Sequence, residues 1–290
     1  MVNRALDLVE YAVTLSISCF VVNKNTTIER KSLVVKGLPV LDGQTPFQQE
    51  YVPVLLDAVK QLRAGFGGAL HSIYLFGSVA RREAVWGQSD LNLTLILHRP
   101  LTDSEQSLLN TIKWRIPTYH TDVPSVEIKI GYLSEVLSLD AIFKWGFWIK
   151  HCCLCLYGED LSTRFGCFEP SWDVAKAFNG DIKDELTVYR QKIMKTKVVS
   201  NYLEYCQYIA KKMLRSCFSL VMHREKCWAH TSEQCAEAFL NYYPDKSLEI
   251  ERLFTLINGT QVPKRAALFL LEQFGSWIVT EFEKIDRKIG

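Results

Sequence analysis

Helix-like spacing of apolar residues is the first pattern along the chain. The apolar residues Phe47, Tyr51, Ala58 and Leu62 are spaced four or seven positions apart, so they share one face of a helix. This spacing predicts an amphipathic helix over residues 45–65. A second helix is predicted at residues 102–114, where Thr102 precedes Glu105 by three positions as in a capping box. A third is predicted at residues 133–150.

Short apolar runs lie between these helical patterns. They predict strands at residues 72–76, 91–97 and 126–130. Strands that alternate with helices favour a sheet flanked by helices. From residue 173 onward only helix-like patterns occur, at residues 181–223, 232–243, 247–256 and 266–285.

This change in pattern predicts two domains. The first covers residues 1–165, including an N-terminal extension, and the second is a helical bundle over residues 173–290. Residues 166–172 contain Gly166, Pro170 and aromatic side chains, and are interpreted as the linker. The structure and role of residues 1–45 stay open, because the apolar run at residues 11–22 is too continuous for periodicity to decide. That run is too short to span a bilayer, so no membrane partner is expected.

Composition narrows the class of protein. The 290 residues are 48% hydrophobic and 12% aromatic, which is typical of a folded globular chain. A net charge of +2 gives no general attraction to nucleic acid. The nine cysteines are scattered and odd in number, which favours reduced thiols and predicts a cytoplasmic location.

The candidate chemistry lies around the second predicted strand. An apolar run ends at Gly77-Ser78, and Asp90 and Asn92 begin the next run. Residues two apart on a strand share a face, so Asp90 and Asn92 point to the same side. Side-chain oxygens there suit a divalent cation, and the amides of a Gly-Ser turn suit phosphate groups.

Gly77-Ser78 followed by Ser89-Asp90-Leu91-Asn92 resembles the signature of the nucleotidyltransferase superfamily, which includes DNA polymerase β. The sequence is most similar to the aminoglycoside (streptomycin/spectinomycin) adenylyltransferases. The third carboxylate of that family stands between apolar residues on a later strand, which identifies Glu127 as its counterpart. Weaker similarities occur at residues 156–161 and 236–244.

The resemblance implies an α/β (α+β) nucleotidyltransferase domain with a small mixed sheet, followed by an all-α helical bundle. It implies transfer of a nucleoside monophosphate from a nucleoside triphosphate, such as ATP, to an acceptor hydroxyl with Mg²⁺. A small-molecule acceptor is favoured over nucleic acid. Asp90 and Asn92 would bind the metal, Gly77 and Ser78 would bind the β- and γ-phosphates, and Glu127 would take the acceptor proton or complete the metal site.

Asn92 departs from the family pattern, which has Asp at this position. Asn offers a neutral oxygen, so the site loses one negative charge that Mg²⁺ prefers. A catalytically weakened or inactive nucleotide-binding or regulatory protein is therefore an alternative on the same fold. A toxin–antitoxin component is another.

Cations elsewhere are candidates for binding the triphosphate, since Arg matches phosphate oxygens well. Arg81 follows the Gly-Ser turn, whereas its neighbour Arg82 is interpreted as a solvated loop residue. Lys211 and Arg215 lie four apart in the bundle, which in two-domain relatives closes over nucleotide and acceptor. Acidic residues of the bundle are candidates for binding a polycationic acceptor: Asp181, Asp184, Glu185 and Glu204.

The run from His151 to Cys155 has the Cys-x₂-Cys spacing of zinc sites. Structural zinc needs four ligands, and no second such pair occurs in the sequence. These cysteines are therefore interpreted as buried thiols.

Overall fold

The computed structural model describes Leu38, Leu41 and residues 43–289. The predicted apolar element at residues 11–22 lies outside this part. The described chain forms two compact units, which meet in sequence between Cys167 and Phe168.

A mixed four-stranded sheet forms the centre of the first unit. Its strands are β1 (Leu70–Phe76), β2 (Leu91–Leu97), β3 (Val126–Tyr132) and β4 (Cys153–Gly158), in the spatial order β3-β2-β1-β4. β1 is antiparallel to both β2 and β4, whereas β2 and β3 are parallel. The three predicted strands are present. β4 was not predicted, because the apolar run that contains its cysteines shows no alternation of apolar and polar residues.

The helices of the first unit are α1 (Val52–Phe66), α2 (Gly77–Ala80), α3 (Asp103–Tyr119) and α4 (Leu133–Val136). The capping box of α3 is confirmed, because Thr102 Oγ1 accepts from the Glu105 amide and Glu105 accepts from the Thr102 amide. Short 3₁₀ segments occur at Gln49–Tyr51, Gly67–Ala69, Leu139–Ala141 and Leu161–Arg164.

The single helix predicted over residues 133–150 is wrong. After α4 the chain runs through a 3₁₀ turn and two π-helical turns, Ile142–Gly146 and Trp148–Cys152. Wide turns of this kind are rare and interrupt regular helix. They accompany the packing of Trp145 and Ile149 onto the sheet, a tertiary contact that overrides the local helical pattern.

The sheet buries both of its faces, and alternation along β2 shows how. Leu91, Leu93, Leu95 and Leu97 pack with α1 and α3 in one core cluster. Ile96 points the other way and packs with Tyr74, Phe76 and residues of the segment after α4. Asn92 and Glu127 also lie on this second face.

The second unit consists of helices. They are α5 (Trp172–Asn179), α6 (Ile182–Lys195), α7 (Val199–Glu225), α8 (Ser232–Leu240), α9 (Ser247–Ile257), α10 (Lys264–Leu270) and α11 (Ser276–Ile289). A 3₁₀ turn, Pro244–Lys246, and a π-helical turn, Leu271–Gly275, complete the unit.

The second unit differs from the predicted bundle in three places. The pattern at residues 181–223 is two helices, since α6 ends at Lys195 and α7 starts at Val199. The pattern at residues 266–285 is interrupted by the π-helical turn. The predicted linker contains the start of α5, where Ser171 caps the helix by accepting from the Val174 amide at 3.3 Å.

The long helix α7 contributes more buried residues than any other described element of the second unit, among them Ile209, Met213, Cys217 and Leu220. Within residues 43–289, no helix combines the length and the apolar character needed to cross a bilayer.

Candidate active site

Three strands place Phe76, Asn92 and Glu127 in one row across the sheet. Asn92 is the register partner of Phe76 on β1 and of Glu127 on β3. Partners on neighbouring strands lie about 4.8 Å apart and point to the same face. Their neighbours Leu91 and Val126 pack into the opposite face. The strand that follows Asp90 and the strand of Glu127 are thus adjacent.

Asp90 immediately precedes β2, and both it and Glu127 are exposed. Ser89 fixes the chain just before it, since its hydroxyl accepts from the Val85 amide at 2.9 Å and its own amide donates to the Val85 carbonyl at 2.9 Å. The Tyr51 hydroxyl donates to the same carbonyl at 3.2 Å. These hydrogen bonds fix the backbone immediately before Asp90, the first candidate metal ligand.

Gly77 follows the end of β1 and has a φ of +80°, a backbone conformation that residues other than Gly rarely adopt. A Cβ at this position would lie 2.6 Å from Asn92 Nδ2. The chain then turns into the short helix α2, and the Glu83 amide donates to the Ser78 carbonyl at 2.9 Å. The Gly-Ser turn and Asn92 are thus packed directly together.

The loop between Ser78 and Asp90 is fastened at its middle to other parts of the unit. The Gln48 side chain makes two hydrogen bonds to the backbone of Ala84, at 2.9 and 3.1 Å. The Gly87 amide donates to the Asp122 carbonyl at 3.0 Å. Gln48, which anchors this loop, was not among the residues predicted from the sequence.

Arg81 and Arg82 have different surroundings. Arg81 pairs with Glu83 at 2.8 Å, so its guanidinium already has an acidic partner. Arg82, with a φ of +60°, donates to the carbonyls of Ala80 and Thr45 and lies 4.4 Å from the Phe47 ring centre. The interpretation of Arg82 as a solvated residue is wrong, because it ties this loop to the segment before α1.

The bundle cations lie on α7. Lys211 and Arg215 are exposed, and within the described residues neither forms an ion pair. Lys212, between them in sequence, instead pairs with Asp181 at 2.6 Å and donates to the Phe178 carbonyl at 2.9 Å. Asp181 is therefore already engaged by a lysine.

Lys129 is a further candidate for the active site, and it was not predicted from the sequence. It pairs in register with Thr94, one row along from Asn92 and Glu127 on the same face. Its Nζ lies 4.0 Å from the Trp148 ring centre and 4.9 Å from that of Phe76. Lys129 lies two residues after Glu127 on the same strand, but its aromatic partners come from distant positions.

Tyr74 holds the segment that follows β4, one of the weaker sequence similarities. Its hydroxyl donates to the Glu159 carbonyl at 3.1 Å and accepts from the Leu161 amide at 2.7 Å. Burial raises the pKa of Tyr74, so the hydroxyl stays protonated. Gly158 has a φ of +86°, and a Cβ there would lie 2.1 Å from the His71 carbonyl oxygen, which explains the glycine.

The cysteine run contributes to the core. Cys153 and Cys155 lie on β4 and pack on the second face of the sheet. Burial raises the pKa of the Cys155 thiol to about 12 and raises that of Cys153 as well. Thiols in this state are poor metal ligands, which supports their interpretation as buried apolar groups.

With this geometry established, the comparisons with known proteins define the class of fold. No family model matches the chain, and no curated protein matches it. Among solved structures, it is similar to spectinomycin adenyltransferase AAD(9) from Enterococcus faecialis, crystallised with ATP and spectinomycin. The two are 16% identical with a TM-score of 0.50, and the match covers 79% of this chain and 98% of that one.

The fold is therefore α+β, with a small mixed sheet together with a helical region, and it is shared with this adenyltransferase. The predicted fold class is confirmed. The resemblance to the aminoglycoside adenylyltransferases is confirmed for the fold.

Proposed function

We propose that the protein is a nucleotidyltransferase. It transfers a nucleoside monophosphate from a nucleoside triphosphate to a hydroxyl of a small, aminoglycoside-like acceptor, with Mg²⁺. The observation that carries the proposal is the row of Asn92 and Glu127 beside the Gly77 turn, which brings oxygen ligands and a Gly-Ser backbone turn together. The structural neighbour was crystallised with ATP and spectinomycin, which supports the choice of substrate classes.

The donor set fits a hard cation. Asp90 and Glu127 offer exposed carboxylates and Asn92 offers an amide oxygen. Within residues 43–289, no three His, Cys, Asp or Glu side chains are grouped closely enough to hold a metal by themselves. Mg²⁺ commonly binds through one or two carboxylates plus substrate phosphates, so a nucleotide would complete this set. When bound, the metal would neutralise charge on the phosphate oxygens.

The chain's own residues account for the remaining steps. Gly77 and Ser78 bind the β- and γ-phosphates through backbone amides and the Ser78 hydroxyl. Glu127 takes the proton of the acceptor hydroxyl as its oxygen bonds to the α-phosphorus. The bond from that phosphorus to the bridging oxygen breaks, and pyrophosphate leaves. Catalysis of this kind depends mainly on positioning and on charge neutralisation.

Glu127 could act as the general base or as a metal ligand, and the Glu127→Gln variant distinguishes these two roles. Loss of turnover with Mg²⁺-dependent nucleotide binding retained assigns Glu127 as the base. Loss of both assigns it as a ligand. The amide keeps the size of the side chain but can neither accept a proton nor supply charge.

Asn92 favours one alternative, a nucleotide-binding protein without turnover. The neutral amide leaves the site with less charge to hold two cations, and two-metal chemistry depends on both. Such a protein would bind the triphosphate and release no pyrophosphate.

The test is incubation with labelled ATP, GTP, CTP and UTP against a panel of acceptors that includes spectinomycin, with Asp90→Asn as the inactive control. Labelled acceptor plus pyrophosphate in the native protein alone supports the enzyme. Nucleotide binding without pyrophosphate release supports the alternative. Absence of both overturns the proposed function.

A further inference from the structure

Lys129 stands next to the proposed site on the same face of the sheet. Asn92 pairs with Glu127, and Thr94 pairs with Lys129 in the next row. Residues two apart on one strand are separated by roughly 6.6 Å, which is within reach of a lysine side chain. The ammonium group therefore belongs to the immediate surroundings of Asn92 and Glu127.

Aromatic rings hold this ammonium in place. Its Nζ lies 4.0 Å from the Trp148 ring centre and 4.9 Å from the Phe76 ring centre, and the two rings meet edge to face at 4.8 Å. The Trp148 indole N–H donates to Thr94 Oγ1 at 3.0 Å, which fixes the ring against the sheet. A cation over ring faces is attracted to them and loses freedom of movement. Phe76 is also the residue before Gly77, so one of the two rings that contact the ammonium is joined directly to the Gly-Ser turn.

Charge at this place departs from what the family resemblance implies, because Asn92 removes one negative charge. Lys129 places one positive charge on the same face. Both features disfavour a second divalent cation, and both favour a polyanion. An ammonium can neutralise phosphate oxygens as a fixed point charge.

We propose that Lys129 binds the triphosphate in place of a second metal ion, so that the site works with one Mg²⁺ and retains affinity for nucleotide when metal is removed. The inference rests on the proposed function. It gives Asn92 a role, because an aspartate at position 92 would instead pair with Lys129.

The first test is ATP binding by calorimetry with Mg²⁺ and again in EDTA. Lys129→Met keeps the length and apolar stem of the side chain, and Lys129→Arg keeps the charge. Lys60→Met is the matched control, since Lys60 is an exposed cation on α1 in the same unit. We expect Lys129→Met to weaken ATP binding in EDTA at least tenfold, Lys129→Arg to retain most of it, and Lys60→Met to leave it unchanged.

A second measurement tests the proposal first on the native protein. Mn²⁺ bound per ATP complex, counted by electron paramagnetic resonance, should be one in the native protein and two in the Asn92→Asp/Lys129→Met double variant. Two Mn²⁺ in the native complex, or unchanged EDTA binding by folded Lys129→Met, overturns the role of Lys129 alone. Failure of the native protein to bind ATP even with Mg²⁺ overturns the proposed function, and this inference with it.

Discussion

The side chain of Asn92 packs against the α-carbon of Gly77, so closely that a Cβ on Gly77 would lie 2.6 Å from Asn92 Nδ2. The Gly77-Ser78 turn and Asn92, which a long polar loop separates in sequence, are therefore in direct contact. The identity of residue 92 and the absence of a side chain at residue 77 constrain each other. This contact gives the glycine a packing reason in addition to its φ of +80°.

Gly77→Ala should lower the free energy of unfolding by about 1–3 kcal/mol for the left-handed backbone, plus a further loss from the clash with Asn92. Gly87→Ala is the matched control, because Gly87 has a φ of +78° but no atom within 4 Å of its added Cβ. Urea denaturation of both variants measures the difference. Equal losses in the two would show that the Asn92 contact relaxes at no cost.

Asn92→Asp should raise the affinity for Mg²⁺ and any release of pyrophosphate. The change supplies a carboxylate beside Glu127, and negative charge attracts the cation. Calorimetric titration of Mg²⁺ in the presence of ATP measures the effect. The gain should be larger in a Lys129→Met background, since Lys129 competes for the new carboxylate. No gain in either background would mean that the metal site lacks more than this one ligand.

Charge removal at Lys211 and Arg215 together should weaken ATP binding, if these exposed cations of α7 bind phosphate. Each charged contact to phosphate adds more than a neutral hydrogen bond, so a loss of about tenfold or more is expected. Arg252→Ala/Arg265→Ala removes the same charge from other exposed positions of the bundle and serves as the control. Equal affinities for the two double variants would assign Lys211 and Arg215 to the solvated surface.

Acid should destabilise the protein through His71. Burial lowers its pKa, and nearby His98 lowers it further, which together outweigh Glu159 at 3.6 Å. The unfolded histidine titrates near its ordinary value of about 6.5. Stability from this residue is therefore complete above that pH and is lost as the pH falls toward the lower folded pKa.

His98→Asn tests this account, because removing the neighbouring histidine should raise the pKa of His71 toward its ordinary value. The pKa is read from the pH dependence of the imidazole NMR signals. The loss of unfolding free energy between pH 7 and pH 5 should shrink in the variant. A pKa of His71 that does not move would exclude the His98 contribution.

The sequence by itself determined the elements with strong local signals. Alternation of leucines along β2 defined its two faces, and the Thr102–Glu105 capping box defined the start of α3. Asp90 and Asn92 could be placed on one face because residues two apart on a strand point to the same side, whereas Glu127 was identified through the family resemblance. The switch between mixed and helical patterns predicted the division into two domains, and the family resemblance implied the fold class.

Only the tertiary structure decided what depends on contacts between distant segments. The π-helical turns before β4 arise from packing on the sheet, so local helical spacing at residues 133–150 was misleading. Gln48 and Arg82 gain their roles from loop contacts about 36 positions away in sequence. Lys129 matters because Trp148 and Phe76 come to lie under its ammonium, and no local pattern encodes a contact made through the register of three strands.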